Sequence, residues 1–146
     1  MELARIVADV TATEFGAEGL ELTRSTVAAQ GVANIQLEVA DIHALPFDDA
    51  IFDVAHAHQV LQHVADPVQA LREMARVTRP GGIVAVRDSD YSGFTWWPRI
   101  APLDTWLDLY RSATAANGGE ADAGRRLLSW AHAAGLQEVA ATSSTW

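Results

Sequence analysis

Apolar and polar residues alternate along this chain with two different periods. Residues 35–39 (IQLEV) switch between apolar and polar at every step, the pattern of a strand buried on one face. Residues 83–87 (IVAVR) are almost wholly apolar, as in a strand covered on both faces of a parallel sheet. Residues 51–57 (IFDVAHA) and the β-prone run 10–15 (VTATEF) predict two more strands. Between them the period lengthens to that of a helix. A helix is expected over about 17–30, with Leu20, Thr23, Val27 and Ala28 on one face and Gly31 closing it. Asp66-Pro67 reads as an N-cap followed by a first-turn proline, and Val68, Leu71, Met74, Ala75 and Val77 continue as an apolar stripe. Arg76 and Arg79 suit the negative end of that helix, and Pro80-Gly81-Gly82 stops it. Residues 2–8 resemble the tail of a helix, with Leu3, Ile6 and Val7 at helical spacing, and 60–65 a short helical turn.

Beyond residue 90 the pattern is mostly helical. An irregular aromatic stretch, 91–101 (YSGFTWWPRIA), leads into a helix over about 102–117 carrying Leu103, Trp106, Leu107 and Tyr110, ended by Asn117-Gly118-Gly119. A further helix over about 122–134 carries Leu127, Leu128, Trp130 and Ala131 and closes at Gly135, and 136–146 reads as a last strand. Strands that alternate with helices predict an α/β fold: one domain spanning 1–146, a Rossmann-like, mostly parallel sheet with helices on both faces. Ligands of such sheets bind beyond the carboxyl ends of the strands.

Composition narrows the chemistry. Of the 146 residues, 49% are hydrophobic and 20% charged, which suits a globular domain. The net charge of −9 argues against a nucleic-acid partner. The absence of cysteine removes disulfides, thiolate metal sites and a Cys nucleophile. No apolar run approaches the roughly 18 residues of a membrane span, and the first ten residues lack a basic leader, so no membrane partner and a cytoplasmic location are expected. There is no G-x-S-x-G elbow and no phosphate-binding G-x-x-x-x-G-K-[ST] loop.

Several side chains stand at strand ends. Glu14 closes the first strand; its carboxylate can accept from two vicinal ribose hydroxyls with Phe15 stacking on a base, or it is an acidic turn residue beside a core ring. Asp41 can accept from an exocyclic amine with Ile42 covering an adenine face, or it can form an Asx turn before Leu45-Pro46. His56, His58 and His63 cluster after the third strand, but HAHQV lacks the carboxylate of an HxHxD metal motif, so no metal is assigned there. Asp88 and Asp90 end the fourth strand, either as an acid–base pair or as solvated caps. Trp96, Trp97, Trp106 and Tyr110 can wall an apolar pocket or pack the core.

In order, these residues resemble a known family. The run ADIHALPFDDAIFDVAHAHQVLQHVADPVQALREMARVTRPGGIVAVRD is similar to class I S-adenosylmethionine-dependent methyltransferases, in the small-molecule branch that includes the ubiquinone/menaquinone-type C-methyltransferases. The resemblance rests on Asp41, Leu45-Pro46-Phe47, Phe52-Asp53, Leu61-Gln62-His63, Leu71 and Arg79-Pro80-Gly81-Gly82. It covers about residues 10–90 and extends more loosely to 146. It implies S-adenosylmethionine as cofactor and a small molecule as methyl acceptor. Glu14 would take the ribose hydroxyls and Phe15 the adenine side. Asp41 and Ile42 would serve the adenine, and His58 and Gln59 the methionine and acceptor region. The protein would mainly align donor and acceptor and exclude water. A base is needed only if the acceptor must lose a proton, with His58 and His63 as the catalytic candidates.

The family's first strand and glycine-rich loop, which hold the methionine end, have no counterpart before residue 10. The sheet is therefore expected to be incomplete at both chain ends, with exposed strand edges that invite a homodimer. S-adenosylmethionine is expected to bind weakly or not at all to this truncated domain alone. The alternative function is a non-catalytic Rossmann-like module that dimerises or binds a partner; a metalloprotein built on the histidines is a third.

Overall fold

The computed structural model describes residues 3–145, which form two compact units, one up to Pro46 and one from Phe47. In the first unit, strand β1 (Val10–Glu14), helix α1 (Ala17–Ala29) and strand β2 (Ile35–Val39) make a βαβ unit. The two strands run parallel in the register Val10↔Ile35 to Glu14↔Val39, and the ladder is prolonged by Val10 N–H to the Asn34 carbonyl and Ala40 N–H to the Glu14 carbonyl. Leu20 is the buried residue of α1. Gly31 ends the helix at φ 64°, the left-handed conformation that favours glycine.

The helix expected over 2–8 is a single 3-10 turn, Leu3–Arg5; residue 2 lies outside the described residues. Leu3, Ile6 and Val7 stay exposed, so their stripe buries nothing that would stabilise a longer helix. The carbonyls of Ala4, Val7 and Ala8 are instead capped by the Asn34 side-chain amide.

The second unit contains β3 (Phe52–His58), α2 (Pro67–Val77), β4 (Thr78–Arg87), α3 (Ala101–Ala116) and α4 (Ala123–Ala134), with 3-10 turns at Leu61–His63 and Tyr91–Gly93. The Asp66 side chain accepts from Gln69 N–H at 2.9 Å, with Pro67 in the first turn, so α2 starts where its sequence indicates. Ala70, Leu71, Met74 and Val77 bury the inner face of α2, and Leu61 and Leu71 are fully enclosed. Each such leucine contributes about 1.5–3 kcal/mol by leaving water.

Strand β4 begins at Thr78, before Pro80-Gly81-Gly82 rather than after it. The register with β3 slips between Phe52 and Val54, and Gly81 takes φ 77° at that bulge. A Cβ on Gly82 would lie 2.7 Å from the Asp53 carbonyl oxygen and 2.6 Å from Thr78 Cγ2. The glycines therefore allow two backbones to approach inside a ladder, where the sequence alone suggested only a helix stop.

β3 and β4 are parallel, and alternate residues separate their two faces. Ala55, Ala57, Val84 and Val86 face the covered side, on which α2 packs. Val54, His56 and His58, opposite Ile83, Ala85 and Arg87, occupy the other face, where Val54 and Ile83 are 49% and 60% exposed. The last strand expected over 136–146 is absent among the described residues, which end at 145. Residues 136–145 form no ladder, Glu138 sits at φ 53°, and Gln137 turns its amide back onto the Gly135 carbonyl. That left-handed residue breaks the extended run a strand needs. Among the described residues no helix is long and apolar enough to cross a membrane.

Candidate functional site

In the first unit, the parallel register carries Glu14 and Asp41 to the carboxyl ends of β1 and β2. Glu14 Oε1 accepts from the Thr23 hydroxyl at 2.8 Å, and a Cβ on Gly19 would stand 3.3 Å from Glu14 Oε2. Thr23 and Gly19, both on α1, thus orient this carboxylate against the helix. Phe15 next to it presents its ring to solvent, 82% exposed. Asp41 Oδ1 accepts from His43 N–H at 2.9 Å and faces His43 Nδ1 at 2.7 Å, which is the Asx turn weighed from the sequence. These bonds from His43 hold the Asp41 carboxyl below its usual range. Ile42 is half-buried beside it.

In the second unit, the carboxyl ends of β3 and β4 carry a polar chain. Gln59 follows β3 at φ 59°, a strained conformation for a residue with a side chain, and its N–H donates to the Arg87 carbonyl at 2.8 Å. Its side-chain amide donates to Ser89 Oγ at 2.6 Å. The Gln62 amide nitrogen donates to Gln59 Oε1 at 2.8 Å and lies 2.9 Å from His63 Nε2. Gln62 N–H donates to Asp88 Oδ1 at 3.0 Å. Gln59 and His63, read separately from the sequence, are therefore brought together through Gln62. His58 lies on the more exposed sheet face, its ring 6.5 Å from that of His56.

Two shifts mark this end of the unit. Burial pushes the Asp88 carboxyl up, against the opposing pull of the Gln62 and Leu61 N–H groups and of His63 and His58. Partial burial, then the electrostatic effect of the neighbouring His58, pull His56 down. Asp88 Oδ2, Asp90 Oδ1 and Gln62 Oε1 are buried without a hydrogen-bond partner. Asp90 Oδ2 pairs with Arg125 at 2.8 Å, so Asp90 anchors α4 and is no solvated cap. Among the described residues no three His, Asp or Glu side chains are grouped to hold a metal ion.

The aromatic residues mostly pack on one another. Tyr91 stacks on Tyr110 at 4.1 Å, Trp106 lies 5.8 Å from Tyr110, and Tyr91 is 4.7 Å from Phe94. Burial and the bond to Tyr110 push the Tyr91 phenol up to about 12. Trp97 is 92% exposed and joins none of these ring contacts. Tyr110 also lines a cavity of about 210 Å³ with His63, Ala113, Thr114, Asn117 and Gly119.

Two glycines hold this site together, and sequence reading took neither as a site residue. A Cβ on Gly119 would come 2.5 Å from the Gln62 carbonyl oxygen, to which Glu120 N–H donates at 2.9 Å. A Cβ on Gly124 would come 2.8 Å from the Asp88 carbonyl oxygen, and Gly124 N–H donates to the Ser89 carbonyl. The only signal was the glycine pair 118–119, which reads equally well as a helix stop.

The donor set of the first unit suits a nucleoside: two carboxylates for hydroxyls and an amine at neighbouring strand ends, an exposed ring and an aliphatic side chain. Residues 1–86 match the family model of the methyltransferase domain, and the chain belongs to the class I S-adenosylmethionine-dependent methyltransferase family. An uncharacterized methyltransferase of Schizosaccharomyces pombe is 34% identical over 123 residues, 83% of this chain and 44% of that protein. The ubiquinone/menaquinone biosynthesis C-methyltransferase UbiE of Bdellovibrio bacteriovorus is 46% identical over 77 residues, 53% of this chain and 32% of that one. This chain thus spans less than half the length of these relatives. A Bacillus halodurans protein, provisionally named a methyltransferase, shares the fold with a TM-score of 0.72 at 20% identity, over 91% of this chain and 55% of its own. The [4+2]-cyclase SpnF aligns with a TM-score of 0.57 at 29% identity, over 66% and 37% of the two chains.

Proposed function

We propose that the protein transfers a methyl group from S-adenosylmethionine to a small-molecule acceptor, as one methyltransferase domain that includes residues 1–146. The observation that carries this reading is the placement of Glu14 and Asp41 at adjacent carboxyl ends of a parallel pair within the matched residues 1–86. When bound, S-adenosylmethionine supplies an electrophilic methyl group. Glu14 accepts from the ribose hydroxyls, Phe15 and Ile42 cover the adenine, and Asp41 accepts from its amine. His58 and Gln59 serve the methionine and acceptor end, and His63 orients the acceptor. An acceptor that must lose a proton gives it to His58. The protein's part is alignment and exclusion of water rather than covalent chemistry. A cysteine-free, acidic chain of this kind suits the cytoplasm.

Titration with S-adenosylhomocysteine, followed by amide NMR shifts, tests this reading even where affinity is weak. Shifts should centre on Glu14, Phe15 and 41–43, and Glu14→Ala should weaken binding at least about tenfold, the loss of roughly one charge-assisted hydrogen bond. No shift at those residues up to about 10 mM, a ceiling of only about 3 kcal/mol of binding, would refute it.

A second reading, a non-catalytic module that pairs with a second copy or a partner, is favoured by the exposed Val54 and Ile83 on one sheet face. Sedimentation equilibrium decides it: a homodimer whose mass falls on Ile83→Lys supports pairing through this face, and a monomer at 100 μM rejects it.

A further inference from the structure

The side chains around His63 assign that residue a role more specific than acid or base. The Gln62 side chain is almost wholly buried, 2% exposed, and its amide nitrogen has two hydrogens to give. One goes to Gln59 Oε1, whose own amide is anchored on Ser89 Oγ. The other points at His63 Nε2, 2.9 Å away. With the Gln62 amide in this orientation, its second N–H faces the ring nitrogen and His63 Nε2 accepts. A neutral imidazole that accepts at Nε2 carries its hydrogen on Nδ1. The ring is thus fixed as a donor, and its only basic nitrogen is already engaged.

We propose that the cavity bounded by His63, Tyr110, Thr114, Asn117 and Gly119 is a subsite for a single-ring molecule bearing a carbonyl or similar acceptor oxygen, bound by the Nδ1–H of His63, with Gln62 as the positioning residue that fixes that tautomer. The size class follows from the volume. A dry cavity of about 150 Å³ holds a benzene molecule, and this one measures about 210 Å³. It has room for one substituted ring. Tyr110 gives one wall an aromatic edge, and Thr114 and Asn117 add polar partners. Taking this molecule to be the methyl acceptor rests on the methyltransferase reading; the subsite itself does not.

The experiment therefore measures binding and tautomer, not turnover. Long-range ¹H–¹⁵N spectra of the intact chain should show His63 as the Nδ1–H tautomer. Acetophenone, which only accepts, should shift the signals of His63, Tyr110 and Thr114. Benzylamine, of the same size but only a donor, should bind at least tenfold more weakly. Gln62→Met, which keeps the volume and removes the amide, should release Nε2 and mix the two tautomers. Should that variant fail to fold, the wild-type tautomer alone decides. His63 as Nε2–H in the wild type, equal binding of the two probes, or acetophenone shifts that avoid His63 and Tyr110 would each overturn the proposal. Because no methyl donor is present, such a failure leaves the S-adenosylhomocysteine titration at Glu14 and Asp41 unaffected, and the reverse also holds.

Discussion

Replacing Gly119 with alanine adds one carbon where the second unit has no room for it. The new Cβ would lie 2.5 Å from the Gln62 carbonyl oxygen and 3.0 Å from Thr114 Cγ2. Ordinary contact begins near 3.5 Å, so the backbone at Gln62 or at Gly119 must yield by roughly 1 Å. Neither is the free end of a flexible side chain. Overpacking of this kind costs about 1–3 kcal/mol. The Glu120 N–H bond to the same carbonyl, 2.9 Å long, is strained with it, adding about 1 kcal/mol if it is lost. Against this, Gly→Ala restricts the unfolded chain and gains about 0.4–1 kcal/mol. The clash wins, and the net loss is about 1–3 kcal/mol. At about 3–5 °C per kcal/mol for a chain of this length, the thermal midpoint should fall by roughly 3–15 °C in far-UV circular dichroism. Gly93→Ala is the control, because its added carbon meets Asp90 Cγ at an ordinary 3.7 Å. A Gly119→Ala midpoint equal to or above wild type, or one matched by Gly93→Ala, would refute the close-approach argument.

Other outcomes follow from single contacts. Leu71→Ala should destabilise by about 2–5 kcal/mol in urea unfolding, because Leu71 is fully enclosed. Asp66→Ala removes the cap bond to Gln69 N–H and should cost about 1 kcal/mol. Asp88 and Asp122 should respond to pH with opposite signs. Burial raises the folded Asp88 carboxyl above its ordinary 3.8, so its contribution is full below that value and lost as pH rises through the folded one. Asp88→Asn should therefore gain stability relative to wild type at neutral pH, with the gap closing in acid. Asp122 is partly buried, which opposes ionisation, but the Ser92 hydroxyl and N–H and the Arg111 and Arg125 cations lower it overall. Its contribution is present above 3.8 and lost as pH falls, so Asp122→Asn should cost stability at neutral pH and little in acid. Denaturant midpoints of both variants at pH 3 and pH 7 check the signs.

Local rules were legible wherever one residue decided the outcome. Asp66-Pro67 started α2, Gly31 and Gly135 closed α1 and α4, and the alternation of 35–39 marked β2. Reading failed where a distant partner decided. Nothing between residues 2 and 8 announces that the Asn34 amide takes the carbonyls a helix would have used. Pro80-Gly81-Gly82 looks like a stop because its reason for being glycine is the Asp53 backbone, some thirty residues earlier in the chain. Residues 136–146 read as a strand, but a strand is a ladder with a neighbour, and Glu138 turns left-handed instead.

The same distinction runs through the site. The positions of Glu14 and Asp41 were legible because strand ends in parallel units are fixed by period and turn. The role proposed for His63 was not visible, since the tautomer it requires depends on the Gln62 amide, which depends on Gln59, which depends on Ser89. No spacing rule encodes a chain of that length. The fold is no help either, for a [4+2]-cyclase at 29% identity shares it, and scaffold does not determine reaction. On the reading proposed above, the choice of acceptor falls to the donors and acceptors around the cavity at His63. If His63 is a locked donor, the choice of acceptor is made by a neutral N–H facing an oxygen. A histidine freed by Gln62→Met would then relax that choice, admitting donor molecules such as benzylamine that the wild-type ring turns away.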